Sequence, residues 1–292
     1  MVTPQERLPH QPTTKTTCHS DMSVLIKGPG VYRHLQGGDY YPLPFLSAST
    51  LKDCNWNTRI LDDRLKAPPR APTEAMVFGT AFHTAVLEPD RMPYEYHILP
   101  EGHKGTTKEG KALVAEIKKA GKSPIKKSAM NQIEAMRESL LAHPWMRENY
   151  SLSKGDIELS IVSNFHGVMV KSRLDTYYGS NGGYSIDLKT TIDASIDKWR
   201  REIRSNYITQ AATYRQQLRE HGLPCKRFYF AAVEKSRPYN AGIHAVADRD
   251  LDEAWERVED LLNRYAHDRV HGFPHYNTEP TIHCYSEREL KI

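Results

Sequence analysis

The sequence is poor in cysteine, nearly balanced in charge and free of long apolar runs, and each shortage removes a class of protein. Its four cysteines, Cys18, Cys54, Cys225 and Cys284, stand far apart and form no CxxC pair. A zinc ribbon or a disulfide framework needs closer or paired spacing, so both are argued against. No stretch approaches the roughly 18 to 20 apolar residues of a membrane span, which leaves no membrane role to expect. The N-terminal residues lack the apolar core of a secretory signal, so an intracellular, cytoplasmic location is expected. A formal charge of +4 is too small to argue for nucleic acid by itself. There is no internal repeat.

What remains suits a globular protein with a sizeable core: 292 residues, 26% charged and 39% hydrophobic. Residues 1–25, rich in Thr, Pro and Gln, are expected to be a disordered leader, and residues 26–292 a single domain. "LSASTLKDCNWNTRILDDRL" reads as one helix from about Thr50, capped by Ser49. A second helix follows from about Glu74 and ends before Pro89. Two charged helical patterns fill residues 108–149, punctuated by "KSP".

From Ile157 the pattern turns to strands. "IELSIVSNF", "GVMVKSRLDTYY" and "GYSIDLKTT" are separated by turn signals at His166-Gly167 and "GSNGG", which predicts a three-strand meander. Helices resume at "ASIDKWRREI" and "YITQAATYRQQLREHG", then two strands, then a long helix from about Asp250 to His271. This order predicts an α/β fold with a central mixed sheet flanked by helices. Two basic runs, Lys118 to Lys127 and Lys198 to Arg204, read first as solvated helix faces.

"SIDLKTT" is the unusual segment. In a strand, Asp187 and Lys189 point to one face and Leu188 to the other. Asp175 lies at the end of the preceding strand, so the meander is expected to deliver all three charges to one edge of the sheet. Two converging carboxylates suit a hard divalent cation such as Mg²⁺. An ammonium beside them can orient a water or stabilise developing phosphorane charge. Taken alone, "DLK" fits a surface ion pair better than a catalytic pair.

The wider pattern resembles a family. Asp175 followed by Asp187-Leu188-Lys189 is similar to the PD-(D/E)XK nuclease motif. "GTAFH" (Gly79 to His83), "KSRLD" and "QAATY" (Gln210 to Tyr214) resemble the RecE (exonuclease VIII) nuclease domain, with more distant similarity to lambda exonuclease and the RecB nuclease domain. The likeness runs from about Ser47 to Cys284. It implies a restriction-endonuclease-like core, with His83, Asp175, Asp187 and the Leu188 carbonyl as ligands of Mg²⁺, or Mn²⁺ in its place. Lys189 would position the nucleophilic water, and Gln210 and Tyr214 would support the site and contact DNA.

Glu158 matches an acidic position of the same branch, and an exposed strand-edge glutamate fits it equally. Ser47 and Ser49 could receive a DNA 5′ phosphate at a helix N-terminus, although N-capping explains Ser49 nearly as well. His83 alone would read as a core or surface histidine, and Gln210 with Tyr214 as a packing pair. The cysteine spacing departs from relatives that hold an iron–sulfur cluster, so none is expected; Leu174 stands where the family often has proline.

The resemblance implies a Mg²⁺-dependent exodeoxyribonuclease that digests linear duplex DNA 5′ to 3′ and leaves 3′ tails. Its implied partners are double-stranded DNA ends, further copies of the chain in a ring-like tetramer, and a RecT-like single-strand annealing protein. An endonuclease or a flap or single-strand nuclease on the same fold, a non-catalytic DNA-binding relative and a structural protein remain alternatives.

Overall fold

The computed structural model describes residue 26 and residues 28–68 and 72–276. The expected leader, Cys18 and Cys284 lie outside these residues. Strands β1 (Gly30–Tyr32), β2 (Leu46–Ser47), β3 (Tyr96–Leu99), β4 (Ser123–Lys126), β5 (Asp156–Phe165), β6 (Val168–Tyr178), β7 (Tyr184–Thr191), β8 (Arg227–Glu234) and β9 (Ala241–Val246) alternate with the helices. These are α1 (Gly37–Tyr40), α2 (Ala48–Lys52), α3 (Thr58–Lys66), α4 (Glu74–Leu87), α5 (Met92–Glu95), α6 (Lys108–Lys119), α7 (Lys127–Ala142), α8 (Pro144–Asn149), α9 (Ile196–Glu202), α10 (Ile208–Glu220) and α11 (Asp248–His271).

Seven strands form one mixed sheet in the order β1-β5-β6-β7-β8-β9, with β2 added in parallel beside β6. The meander β5-β6-β7 is antiparallel, β8 joins β7 in parallel, and β9 returns antiparallel. The β5–β6 turn places His166 and Gly167 at φ of +55° and +80°, as a tight two-residue hairpin requires. Gly183 is fixed by space: a Cβ there would lie 1.6 Å from the Pro224 carbonyl oxygen.

β8 shows why the sheet is covered on both faces. Phe228, Phe230 and Ala232 enter the core under α10 and α11, and Ala231 and Val233 enter the opposite core under α4 and α7. α11 binds through one stripe, Leu251, Ala254, Trp255, Val258, Leu261, Leu262 and Tyr265, at helical spacing. α4 is capped by Thr73, whose hydroxyl accepts from the Met76 amide at 3.2 Å, and it stops before Pro89.

Three local expectations are corrected. The helix expected from Thr50 is two helices, because Asn55 and Trp56 take left-handed φ of +47° and +56° between them. Its cap is Ser47, which accepts from the Thr50 amide, and not Ser49. "KSP" does not merely interrupt two helices: residues Ser123–Lys126 form β4, paired in parallel with β3.

Candidate active site

The site forms where the sheet changes partners. β6 pairs with β7 only over Thr176↔Ile186, Tyr177↔Ser185 and Tyr178↔Tyr184. Further along, the two strands part, and β6 is joined instead by β2 at Val170 and Lys171. The last β6–β7 pair, Thr176↔Ile186, puts Asp175 and Asp187 next in line at the point of parting, and Glu158 falls level with Asp175 in the gap of the β5–β6 ladder between Ile157↔Thr176 and Leu159↔Leu174. Three carboxylates thus share one row across the sheet. The expectation that both aspartates end their strands at a sheet edge is corrected: they lie within β6 and β7, the central strands.

Asp175 spans the opening. Its Oδ2 accepts from the Leu188 amide at 2.6 Å, in place of a missing ladder bond, and lies 3.1 Å from His83 Nε2. His83 comes from α4, and its Nδ1 is held by the Gly79 carbonyl at 2.8 Å, which fixes the ring and turns Nε2 to the carboxylate. Asp187 is 2% exposed and accepts from Gln210 Nε2 at 2.6 Å and from the Lys189 ammonium. Glu158 pairs with Arg173, two residues before Asp175, and holds a left-handed φ of +53° inside its strand. A strained glutamate in a strand costs stability and is commonest at functional sites.

The charges are unevenly satisfied. Burial and then the Asp175 charge raise Glu158 to about 7, against the pull of Arg173. Burial raises Asp187 to about 6, even though Lys189 opposes it. Burial works against charge on His83, but the Asp175 carboxylate outweighs it and raises His83 to about 9. Asp175 itself is held below its ordinary range: burial resists ionisation, and His83 and Lys189 overcome it. Burial also opposes charge on Lys189, and Asp187 and Asp175 reverse that, so the ammonium persists.

A cavity of about 950 Å³ opens over this row. Its walls include Glu158, Asp175, His83, Lys189, Gln210 and Tyr214, so all but two of the residues expected at the site border one space. Asp187 lies just beneath, behind Gln210 and Lys189, and Leu188 turns away into the core under α4 and α7. Ser49 lies on the far wall and shares a 2.9 Å hydrogen bond with Ser47. Burial pushes the Tyr214 phenol well above its ordinary range.

Arg173, Lys171, Lys52 and Tyr207 were not singled out as site residues in the sequence, although the first two lie in the "KSRLD" motif. Arg173 shares its strand face with Asp175, and period-two spacing could have found it. Lys171 donates to the carbonyls of Tyr40, Tyr41 and Leu43 and fastens one rim of the cavity. Lys52 and Tyr207 come from segments with no local signal of a site.

The donor set fits a hard divalent cation in kind. Facing carboxylates in one row repel each other, and Glu158 is raised in part by Asp175. A cation between them removes that cost, and oxygen donors with one imidazole suit Mg²⁺ or Mn²⁺. Among the described residues, no three His, Cys, Asp or Glu side chains are grouped, as they stand, so as to hold a metal ion. Asp187 is turned to Lys189 and Gln210, one on each oxygen, so a cation would take a remaining lone pair and compete with the ammonium for the carboxylate charge.

A mixed sheet parted at its centre beneath helices, with an acid, a second acid and a lysine at the parting, defines an α/β fold with a restriction-endonuclease-like PD-(D/E)XK core. The chain belongs to a family within that class, the PDDEXK-like domain of unknown function (DUF3799), whose profile matches residues 47–277. Among solved structures, it is similar to a protein from Eubacterium rectale provisionally named an exonuclease. The two share 16% identity, with 89% of this chain and 99% of that chain covered, at a TM-score of 0.56. The structure of SSO0001 is more remote, at 12% identity, 78% and 76% coverage and a TM-score of 0.32. No curated protein matches the sequence. Among the described residues, no helix is long and apolar enough to cross a membrane.

Proposed function

We propose that this protein is a Mg²⁺-dependent exodeoxyribonuclease of the RecE type, which digests one strand of linear duplex DNA from its end, 5′ to 3′, in the cytoplasm. The observation that carries this reading is the row Glu158–Asp175–Asp187 with Lys189 beside it, at the parting of β6 and β7 under the cavity. Glu158, Asp175, Asp187, His83 and the Leu188 carbonyl are the groups that would hold the cation. Bound there, it would supply a Lewis acid for the phosphoryl group and a water of lowered pKa.

The chain's own residues do the rest. Lys189 offers a persistent ammonium to the attacked phosphate or to the attacking water. Gln210 holds Asp187 from α10 and fixes the orientation of the carboxylate beneath the cavity. The Gly79 carbonyl holds His83 in one ring orientation. Lys52 and Arg173 place positive charge along the wall, where phosphates would bind without reference to sequence. A tetramer around DNA and hand-over of the 3′ tail to a RecT-like annealing protein complete the proposal.

The test is digestion of linear duplex DNA labelled separately at its 5′ and 3′ ends, with Mg²⁺ or with EDTA, beside a covalently closed circle. Mg²⁺-dependent release of the 5′ label with the circle intact is expected. Cutting of the circle would replace the exonuclease with an endonuclease, and binding without cutting would remove the catalytic assignment.

A further inference from the structure

Tyr207 ends a single π turn, Ile203–Tyr207, that joins α9 to α10. Such turns are rare and occur often at functional sites, because the extra residue pushes a side chain out of helical register. Here the displaced ring enters the cavity wall beside Lys189. It is held from behind: Tyr207 stacks on Trp199 at 5.5 Å and 8°, and Trp199 stacks on His244 at 5.2 Å and 9°. Both supporting rings are pinned, Trp199 Nε1 donating to the Asp193 carbonyl at 3.1 Å and His244 Nε2 meeting the Ala194 carbonyl at 3.1 Å.

Two ammonium groups lie over this ring. Lys189 Nζ is 5.2 Å from the Tyr207 centroid and 5.8 Å from that of Phe230, and Lys52 Nζ is 6.0 Å from Tyr207. These distances fall in the range of cation–π attraction. Lys189 has a flexible four-carbon stem, and among the described residues its carboxylate partner is Asp187. The same carboxylate accepts from Gln210 on its other oxygen, and a cation held there would compete with the ammonium for its charge. The aromatic face is an anchor for the ammonium that this competition leaves untouched.

We infer that Tyr207 is a positioning residue, whose ring face, not its hydroxyl, holds the Lys189 ammonium toward the phosphate, with Lys52 gathered on the same platform. This rests on the nuclease reading above. A ring present only for packing would tolerate any substituent of the same shape. A ring acting through its negative face would not.

The experiment replaces Tyr207 with phenylalanine and with a series of increasingly fluorinated phenylalanines, which keep the ring's shape and drain its face of electron density. Tyr207→Phe should keep kcat within about twofold, and the most fluorinated ring should lower it about 10- to 30-fold with KM little changed. A second readout needs no turnover: the Lys189 ε-methylene protons, assigned by their disappearance in Lys189→Ala. Ring current should shift them upfield in the wild type and in Tyr207→Phe, and in Tyr207→Leu the shift should shrink to the part that Phe230 contributes. Fluorinated proteins as fast as Tyr207→Phe, Tyr207→Phe as slow as Tyr207→Leu, or a Lys189 signal that does not move would each overturn the inference. If the wild type cleaves no DNA, the nuclease reading fails, and the resonance still decides whether the ring holds the lysine.

Discussion

Gln210 and Gln217 lie two turns apart on α10, and each donates from its amide to a buried oxygen, yet their surroundings close to very different degrees. Gln217 is wholly buried: its Oε1 accepts from Ser172, and its Nε2 donates to the Val170 carbonyl at 2.9 Å and to Ser163 Oγ at 3.3 Å. Ser163 in turn meets His221 Nε2 at 3.1 Å. Every member has a partner, and no carboxylate, lysine or arginine takes part. Gln210 instead ends on Asp187, a carboxylate raised by burial, at the border of a cavity. The first network is satisfied within the protein and holds α10 on the sheet. The second is left with donors and acceptors that a cation and a phosphate would complete, and that is how a site differs from a buried polar anchor.

Substitution at the two ends of α10 should therefore separate activity from stability. The largest effect is expected at the cavity: Asp187→Asn or Lys189→Ala should lower cleavage about 1,000-fold or more while the protein melts near the wild-type temperature. Undiminished cleavage by either variant would remove that residue from the mechanism. Gln217→Leu should do the reverse. It strands the Ser172 hydroxyl and takes a donor from the Val170 carbonyl, while Ser163 keeps His221, and denaturant titration should show a loss of about 2 to 3 kcal/mol, with activity per folded molecule retained.

A smaller effect is expected at His83. His83→Ala should weaken divalent-ion affinity about 10- to 100-fold by calorimetry, the range typical of lost metal-site support. Unchanged affinity would reduce His83 to a partner of Asp175.

The same comparison has a pH signature. Glu158 and Asp187 are raised to about 7 and about 6, so the folded protein binds protons there that the unfolded chain has released. For groups raised in this way, the stabilising contribution is present at low pH and is lost as pH climbs through those values. His83, raised to about 9, acts in the same direction from about pH 6.5 upward. Asp175, held low, works the other way and matters only in acid. The EDTA-treated protein should lose thermal stability between pH 5.5 and 9, about the span of these values. Mg²⁺ should restore more of it at pH 8 than at pH 6, because its ligands must be deprotonated. A Mg²⁺ shift that does not vary with pH would argue against these carboxylates as the ligands.

The least effect is expected from the serines. Ser47→Ala should cost about 1 kcal/mol as a lost helix cap. Ser49→Ala, which removes only a hydroxyl–hydroxyl contact, should change stability by less. A larger loss of DNA affinity at Ser49 than at Ser47 would restore the phosphate-binding expectation.

Much of this architecture is legible in the residues. The meander shows in alternating strands and in His166-Gly167, where both φ values are positive, and α11 shows in its helical stripe of seven buried side chains. Period two sets Asp187 and Lys189 on one face, and a four-residue step sets Gln210 and Tyr214 on another. These are local rules, fixed by backbone geometry within a few residues. The break at Asn55 and Trp56 was not legible, because neither residue demands a left-handed backbone.

The sequence by itself determined the order of elements, the face each charged side chain takes, and the likeness of "SIDLKTT" and "QAATY" to a nuclease pattern. Only the tertiary structure decided that the charges meet at the sheet's centre, since β6 exchanges β7 for β2 through a pairing more than a hundred residues distant in the chain. It alone decided that Asp187 is buried enough to be raised, that His83 reaches Asp175 from α4, and that a π turn sets Tyr207 under Lys189. The physical reason is that desolvation and charge coupling depend on which distant segments exclude water from a group, and no period along the chain encodes that.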